Sequence, residues 1–448
     1  MLRAERRRST MVLAGIAALG VVAVAVTLYA ARIWSSARQT PSEDLQWMWV
    51  PVAAVVVAQA GLYLCDRPFR ASREQQQVLD TMHLAVLMPV FNEDNGYLRS
   101  ALGSLLAQSR RPDSVHIVDD GSELSSRNVR RWWRRAAREA GIHTTWQRTP
   151  NHGKRHAQVL AARRCPQADV FVTVDSDAHL DPAALDEVLQ PLVDPRVQAV
   201  AGVVLAHNNR NGLLSRITDL WYVTSQLVDR SALSPLGGVM VASGSLAAYR
   251  AALLRDREQS YLAETFCGRP VTFSDDSMLT LYALMRGRVV QQPTAIVFSA
   301  MPETVSHHLR QYVRWMRGSS IRALWRVRYL PLRHPAFLAQ LVRWFQLLAC
   351  NTILLWLAAT YLNAGATPPA ALMSVPLFIA AGQTLRYLIL RRSDQTLLSQ
   401  TATWALTPLA LLWAWIVLRP VRWYGFATCA RTGWGTRTTG PEVALAQT

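Results

Sequence analysis

The sequence predicts an α/β domain with a mostly parallel sheet, carried between apolar segments at both ends of the chain. Three observations point there. Between about residues 84 and 318, strand-like runs alternate with helix-like runs, the order that builds a parallel sheet. Several of the strand runs end in acidic residues, where open α/β sheets bind ligands. Of the 448 residues 50% are hydrophobic and only 17% charged, and the apolar excess sits at the two ends.

At the N-terminus, Arg3, Arg6, Arg7 and Arg8 precede an apolar run at 11–31. It is about long enough to span a bilayer, and no small-residue cleavage site clearly follows it. A second run occupies 47–64. The positive-inside rule places the N-terminus in the cytoplasm, and two crossings return the chain there near Arg67 and Arg70. Residues 1–66 are thus expected to form a membrane region and 67–330 a cytoplasmic domain.

Within that domain, Leu84 to Val90 reads as a buried strand. Leu98, Leu102, Leu105 and Leu106 follow at helical spacing. Residues 114–118 form a second strand, ending in Asp119-Asp120-Gly121-Ser122. Residues 127–138 are a strongly basic helix with Trp132 and Trp133, most simply a solvated or membrane-facing surface. The β-branched and aromatic run 170–174 is a strand that switches to Asp175-Ser176-Asp177. Another strand covers 197–205. Segments 212–232 and 305–328 mix apolar, aromatic and Arg residues, as helices at a membrane interface do; packing on the sheet is the alternative.

Apolar runs resume at 344–362, 370–390 and 397–418, with Pro368-Pro369 between the first two. They make 331–427 a C-terminal membrane region and leave 428–448 as a tail. Arg386, Arg391 and Arg392 put the loop after the second run inside. A single crossing by the third would leave Arg419, Arg422, Arg431 and Arg437 outside, against that rule. Pro408 and the apolar stretch to 427 instead allow a hairpin that returns the tail to the cytoplasm.

The net charge of +18 suits either nucleic acid or the cytoplasmic face of an anionic membrane. The arginines cluster beside the apolar runs, so membrane lipids are the expected partner and nucleic acid is not. All 48 basic residues except Lys154 are Arg. The two cations are not interchangeable at a tight site, though chance survival of one Lys is the plain alternative. The five Cys are widely spaced with no C-x-x-C, so neither a disulfide framework nor a zinc site is expected. Cys165 and Cys267, in the polar middle, fit a reducing compartment.

The acidic strand ends carry the chemistry. Asn92-Glu93-Asp94, Asp119-Asp120 and Asp175-Ser176-Asp177 all fall at one sheet edge. Such a cleft suits a sugar nucleotide: carboxylates accept from hydroxyls, and hard oxygens hold Mg²⁺ or Mn²⁺ against a diphosphate. An isolated D-x-D is more often a solvated turn. Gly153-Lys154-Arg155 adds positive charge, and the Gly permits close backbone approach. Ser243 to Arg250 reads as a small-residue turn leading into a helix, where an acceptor can approach closely. Asp275-Asp276 opens a helix at 278–285; one Asp is explained by capping, the other by a general-base role. Gln311 and Trp315 share a helix face, with Arg314 beside them. Arg clamps phosphate and Trp offers a platform for a sugar ring; an interfacial Trp-Arg pair is the bland reading.

In this order, these motifs resemble those of the processive family 2 glycosyltransferases, of the hyaluronan synthase and chitin-oligosaccharide synthase type and more distantly cellulose synthase. Gly433-Trp434-Gly435-Thr436-Arg437 is similar to the segment after their last membrane span. The resemblance covers roughly residues 84–437. It implies a GT-A domain at the cytoplasmic face of the plasma membrane, on a multi-pass membrane region. It also implies UDP-sugar donors, UDP-GlcNAc with or without UDP-GlcA, and a growing β-linked polysaccharide as acceptor. Carried over residue by residue, Asp119, Asp120, Lys154 and Asp175 bind the nucleotide sugar, Asp177 holds Mn²⁺ or Mg²⁺, and Asp276 is the general base. Arg314 holds the diphosphate, while Gln311, Trp315, Ser243, Gly244 and Ser245 meet the acceptor. Trp434 and Arg437 belong to a gate over the nucleotide. Ser274 stands where Gly is usual, Ser245 where Pro is usual, and Phe91 where Tyr is frequent, which leaves the sugar open. A single-donor chitin-type synthase and a non-processive transferase to lipid phosphate are the alternatives.

Overall fold

The computed structural model describes residues 49–363, 365, 377, 379–390 and 392–433. The apolar run at 11–31, residues 370–376 and 378 of the run at 370–390, and the tail residues Trp434 and Arg437 lie outside the described residues.

Strands β1 (Leu84–Val90), β2 (Ser114–Asp119), β3 (His143–Arg148), β4 (Val170–Thr173), β5 (His179–Leu180), β6 (Val197–Ala206), β7 (Ala247–Arg250) and β10 (Arg288–Ser299) form one eight-stranded sheet. Its order is β3-β2-β1-β4-β7-β6-β10-β5, and β8 (Thr265–Phe266) and β9 (Arg269–Pro270) pair separately. The pairs β3/β2, β2/β1, β1/β4 and β6/β10 are parallel; β7 runs antiparallel to both β4 and β6. β1, β2, β4, β6 and β10 therefore all finish at one edge. Because β7 is reversed, the turn that precedes it reaches that same edge. The expected helix after Ser243 is thus a strand first. Two buried Ala and a Tyr, only four residues in all, carry little strand propensity of their own, and pairing on both sides decides the outcome.

Helices cover both faces, which is why every residue of β1 is buried. On one face Val86, Met88 and Val90 pack against α1 (Asn95–Leu106) through Leu98, Leu102 and Leu105, and against α2 (Arg127–Glu139) through Trp133. Asp94 caps α1, accepting from the backbone of Gly96 (2.8 Å) and Tyr97 (3.2 Å), worth about 1 kcal/mol. On the other face Ala85, Leu87 and Phe171 meet α3 (Lys154–Arg163).

Helix α4 (Leu213–Ser225) buries Ile217, Leu220 and Val223 against Val203, Leu205, Ile296 and Phe298 of β6 and β10. The sheet thus takes the apolar face that the sequence offered to a membrane interface. Helices α5 (Ala251–Leu262), α6 (Asp275–Arg286) and α7 (Val305–Tyr329) complete the domain.

The expected span at 344–362 lies within α8 (Pro335–Asn363), and the one at 47–64 coincides with a helix at Trp49–Cys65, of 17 residues. Among the described residues no single helix is long and apolar enough to cross a membrane. Leu397–Trp404 and Thr407–Ala427 pass that test only together, bent by 45°. Where the sequence allows a hairpin, these two helices meet at that bend. Pro408 stands at the start of a helical segment, where its missing N–H is not needed. The last helical stretch packs so closely on α7 that a Cβ on Gly425 would lie 2.6 Å from Met316 Cβ.

Candidate active site

A cavity of about 980 Å³ opens at the sheet edge where these strands finish. Asp120, Lys154, Asp175, Asp177 and Asp276 line it, together with Ser243, Gly244, Ser245, Gln311, Arg314 and Trp315. The topology thus gathers residues scattered over nearly 200 positions of sequence.

Asp120 closes the loop after β3. Its two oxygens accept from the backbone of His152 (2.9 Å) and Gly153 (2.8 Å). Gly153 has φ 94, a backbone conformation in which a side chain would be strained. Burial raises the pKa of Asp120 against the lowering effect of these two N–H groups. Asp119 faces elsewhere and does not line the cavity. It accepts from Ser122 N at 2.9 Å, and Arg148 Nε is 3.8 Å away. Successive residues at a strand end point to opposite faces, so one of the pair enters the cleft and the other holds the turn.

Lys154 stands between two carboxylates. Its Nζ is 2.7 Å from Asp175 Oδ1 and 3.3 Å from Asp275 Oδ2. Burial alone would lower its pKa, but the charges of Asp175 and Asp275 outweigh that and hold the ammonium protonated. Ser245 donates to Asp175 Oδ2 at 2.9 Å, as the reversed direction of β7 allows. A Cβ on Gly244 would sit 3.2 Å from Lys154 Nζ, so the glycine lets the turn approach the cation closely. Asp177 accepts from Ser299 Oγ at 3.1 Å, at the finish of β10.

Asp276 accepts from Ser277 N (2.6 Å) and Oγ (3.2 Å) in the first turn of α6. Burial, then the like charge of Asp275, raises its pKa. A carboxylate so raised is a stronger proton acceptor when ionised. Asp275 itself is tied to Gln158 Nε2 (3.2 Å).

Trp315 stacks on Tyr222 of α4, with ring centroids 5.4 Å apart and planes at 23°. Tyr222 also meets Ser243 Oγ at 3.3 Å, and Arg230 donates to the same oxygen at 2.7 Å. Sequence reasoning missed Tyr222 and Arg230, because their segment carried only an amphipathic signal. It singled out the Glu93 loop without assigning the residue; Glu93 is buried, lines the cavity and accepts from Ser176 Oγ at 2.7 Å. The described end of the tail arrives here too. Thr272 donates twice to the carbonyl of Thr432 (3.3 and 2.9 Å), and Gly433 lines the cavity.

Away from the acidic edge, the cavity runs on between α7, α8 and the last helical stretch. Arg326, Arg343, Arg419 and Arg422 line that end, with Asp229 paired to Arg343 at 3.2 Å. Among the described residues no three His, Cys, Asp or Glu side chains converge to hold a metal ion by themselves. Both Asp175 oxygens are engaged, by Lys154 and Ser245, while Asp177, which lines the cavity, offers the hard oxygen that a Mg²⁺ or Mn²⁺ takes alongside phosphate and water.

An α/β sheet of this order, with a carboxylate-lined edge holding one lysine, is the GT-A glycosyltransferase fold. The glycosyltransferase-like family 2 model matches residues 82–318, and the chain belongs to that family. A hyaluronan synthase of Streptococcus pyogenes serotype M1 is 32% identical over 390 residues, 85% of this chain and 88% of that protein. An N-acetylglucosaminyltransferase of Rhizobium meliloti strain 1021 is 33% identical over 238 residues, 52% of this chain and 55% of that protein. Among solved structures, a mannosyltransferase of Pyrobaculum calidifontis in complex with GDP-Man and Mn²⁺ shares the fold. Its TM-score is 0.52 at 22% identity, covering 82% of this chain and 99% of that one.

Proposed function

We propose that the chain is a membrane-embedded, processive polysaccharide synthase of the hyaluronan-synthase type. It uses UDP-GlcNAc and UDP-GlcA at the cytoplasmic face of the plasma membrane, extends a β-linked chain with inversion and secretes it. The observation that carries this reading is the two-ended cavity: a carboxylate edge suited to a nucleotide sugar, continuous with an arginine-lined passage along apolar helices. A passage lined by arginines favours a polymer that bears carboxylates, and so two donors, over a neutral chitin-type product. The sequence relatives agree on a glycan-forming family.

In the proposed reaction the acceptor hydroxyl oxygen forms a bond to the anomeric carbon as the bond from that carbon to the diphosphate oxygen breaks. The hydroxyl proton passes to Asp276, and UDP departs. Trp315, backed by Tyr222, holds the acceptor ring, while Gln311 and the Ser243–Ser245 turn orient it. Lys154 and Arg314 face the diphosphate and stabilise the charge it gains. Asp177, with Asp175 beside it, would hold a divalent cation, Mn²⁺ or Mg²⁺, which when bound offsets the same charge. Asp120 shapes the nucleotide side of the cleft through the 152–153 loop. Trp434 and Arg437, which follow Gly433 in the sequence, would belong to a gate over the nucleotide.

The test is incubation of the purified full-length chain with Mn²⁺ or Mg²⁺ and each UDP-sugar, singly and together. A long product formed only from UDP-GlcNAc plus UDP-GlcA is expected. A product built from UDP-GlcNAc alone would replace this reading with a chitin-type synthase, and a single transfer to lipid phosphate would end it.

A further inference from the structure

Ser274 leads into α6 with φ 56 and ψ 44, in the left-handed region that residues with a Cβ adopt reluctantly, and it makes no capping bond with its side chain. The surroundings over-determine this conformation. Arg155 donates to the carbonyl of Phe273 at 2.9 Å and Arg322 to that of Ser274 at 3.3 Å. Both guanidiniums are paired with Glu264, Arg322 at 2.6 Å, and all three side chains are buried. The Ser274 hydroxyl fills the notch left by Gly318 on α7: a Cβ there would lie 1.7 Å from Ser274 Oγ and 2.9 Å from Ser274 Cβ.

Gly318 lies three residues after Trp315 and seven after Gln311, with Arg322 four further on. At helical spacing all four share one side of α7. The side that presents Gln311 and Trp315 to the cavity therefore also grips the loop that delivers Asp275 and Asp276. Arg155 follows Lys154 directly, so the third element of the site is tied into the same junction.

We propose that Ser274 and Gly318 form a knob and notch that sets the acceptor helix α7 against the base-bearing helix α6. They act as positioning residues that keep Trp315 and Asp276 at a fixed spacing through successive transfers. This rests on the assignment of Asp276 as base and Trp315 as acceptor platform.

The test compares four full-length proteins: wild type, Gly318→Ala, Ser274→Gly and the double variant. UDP binding in each reports that the donor side is folded. Gly318→Ala forces the knob out and is expected to lower kcat by about ten- to a hundredfold, the scale of a sub-ångström to ångström misplacement. Donor KM is expected to change less than kcat does, because Asp120, Lys154 and Asp175 stand on elements other than α7 and only Arg314 moves with it. Ser274→Gly alone removes the knob and leaves the notch empty, so kcat is expected to fall by about two- to fivefold; full activity would show that the knob does not set the spacing. The double variant regains most of the lost kcat, since the nearest remaining neighbour of the new Cβ is Phe273 Cδ2 at 3.3 Å. That rescue is what a merely destabilising Ala would not give. A double variant no better than Gly318→Ala, or a fully active Gly318→Ala, overturns the proposal. Wild type inactive with every UDP-sugar would overturn the functional reading and this proposal with it; active wild type without rescue would overturn only this one.

Discussion

Replacing Asp276 by Asn separates the chemistry of the site from its architecture. The carboxylate accepts from Ser277 N at 2.6 Å and from Ser277 Oγ at 3.2 Å, and the Asn carbonyl oxygen can accept both bonds, though more weakly. The first turn of α6 therefore stays intact, and so do the Lys154 contacts, which run to Asp175 and Asp275. What disappears is the group that takes the acceptor proton. General-base catalysis contributes about 10² to 10⁴ in rate, or about 2.7–5.4 kcal/mol of barrier, and the loss should appear wholly in kcat. The assay is incorporation of radiolabelled sugar, alongside calorimetric titration of the same preparation with UDP. Retained UDP affinity with sugar transfer down at least about a hundredfold is the expected pair of results. A drop smaller than about tenfold, or UDP binding lost in parallel, would refute the assignment of the base.

The base must be ionised to work, and burial together with Asp275 raises its pKa. Activity is therefore full above that raised pKa and falls as the pH drops through it. Asp275→Asn removes the like charge, so the acid limb of the kcat profile should move to lower pH; a limb that stays or rises would show another group titrating. Lys154→Arg places a broad planar guanidinium where a compact ammonium stands 2.7 Å from Asp175 and 3.3 Å from Asp275. At least about a tenfold loss in kcat/KM for the donor is expected, and full activity would make the lone lysine an accident of composition. Far from the cleft, Arg392 and Asp219 form a fully buried pair at 2.6 Å, to which Tyr387 Oη adds a bond at 2.7 Å. Arg392→Met should cost about 3–5 kcal/mol by leaving Asp219 buried without its counter-ion. A thermal midpoint equal to wild type would contradict that.

What the sequence reveals of this site follows the range of each signal. β1, β2 and β4 are legible because an uncharged β-branched run that turns acidic at its end is a local pattern. So are Asp120, Lys154 and Asp175, since parallel strands deliver their ends to one edge. β7 is not legible: Ala247 and Ala248 are strand residues only because β4 and β6 flank them. Composition cannot tell Asp119 from Asp120, because the difference is which side of the strand end each one faces. The stacking of Tyr222 beneath Trp315, and the pairing of Arg392 with Asp219, join segments far apart in the chain and leave no trace in spacing. Pro408 is ambiguous for a related reason. Proline breaks a helix interior but starts a helix readily, and which applies depends on where the preceding segment stops.

Processive extension within one continuous cavity is the central claim, and a pulse–chase of the product length tests it most directly. The full-length protein is given a brief pulse of radiolabelled donor and then a large excess of unlabelled UDP-GlcNAc and UDP-GlcA. If each chain stays in the arginine-lined passage, the labelled molecules grow together into long polymer while few new short chains take up label. A ladder of short labelled oligosaccharides that exchanges freely with added acceptor would contradict the account.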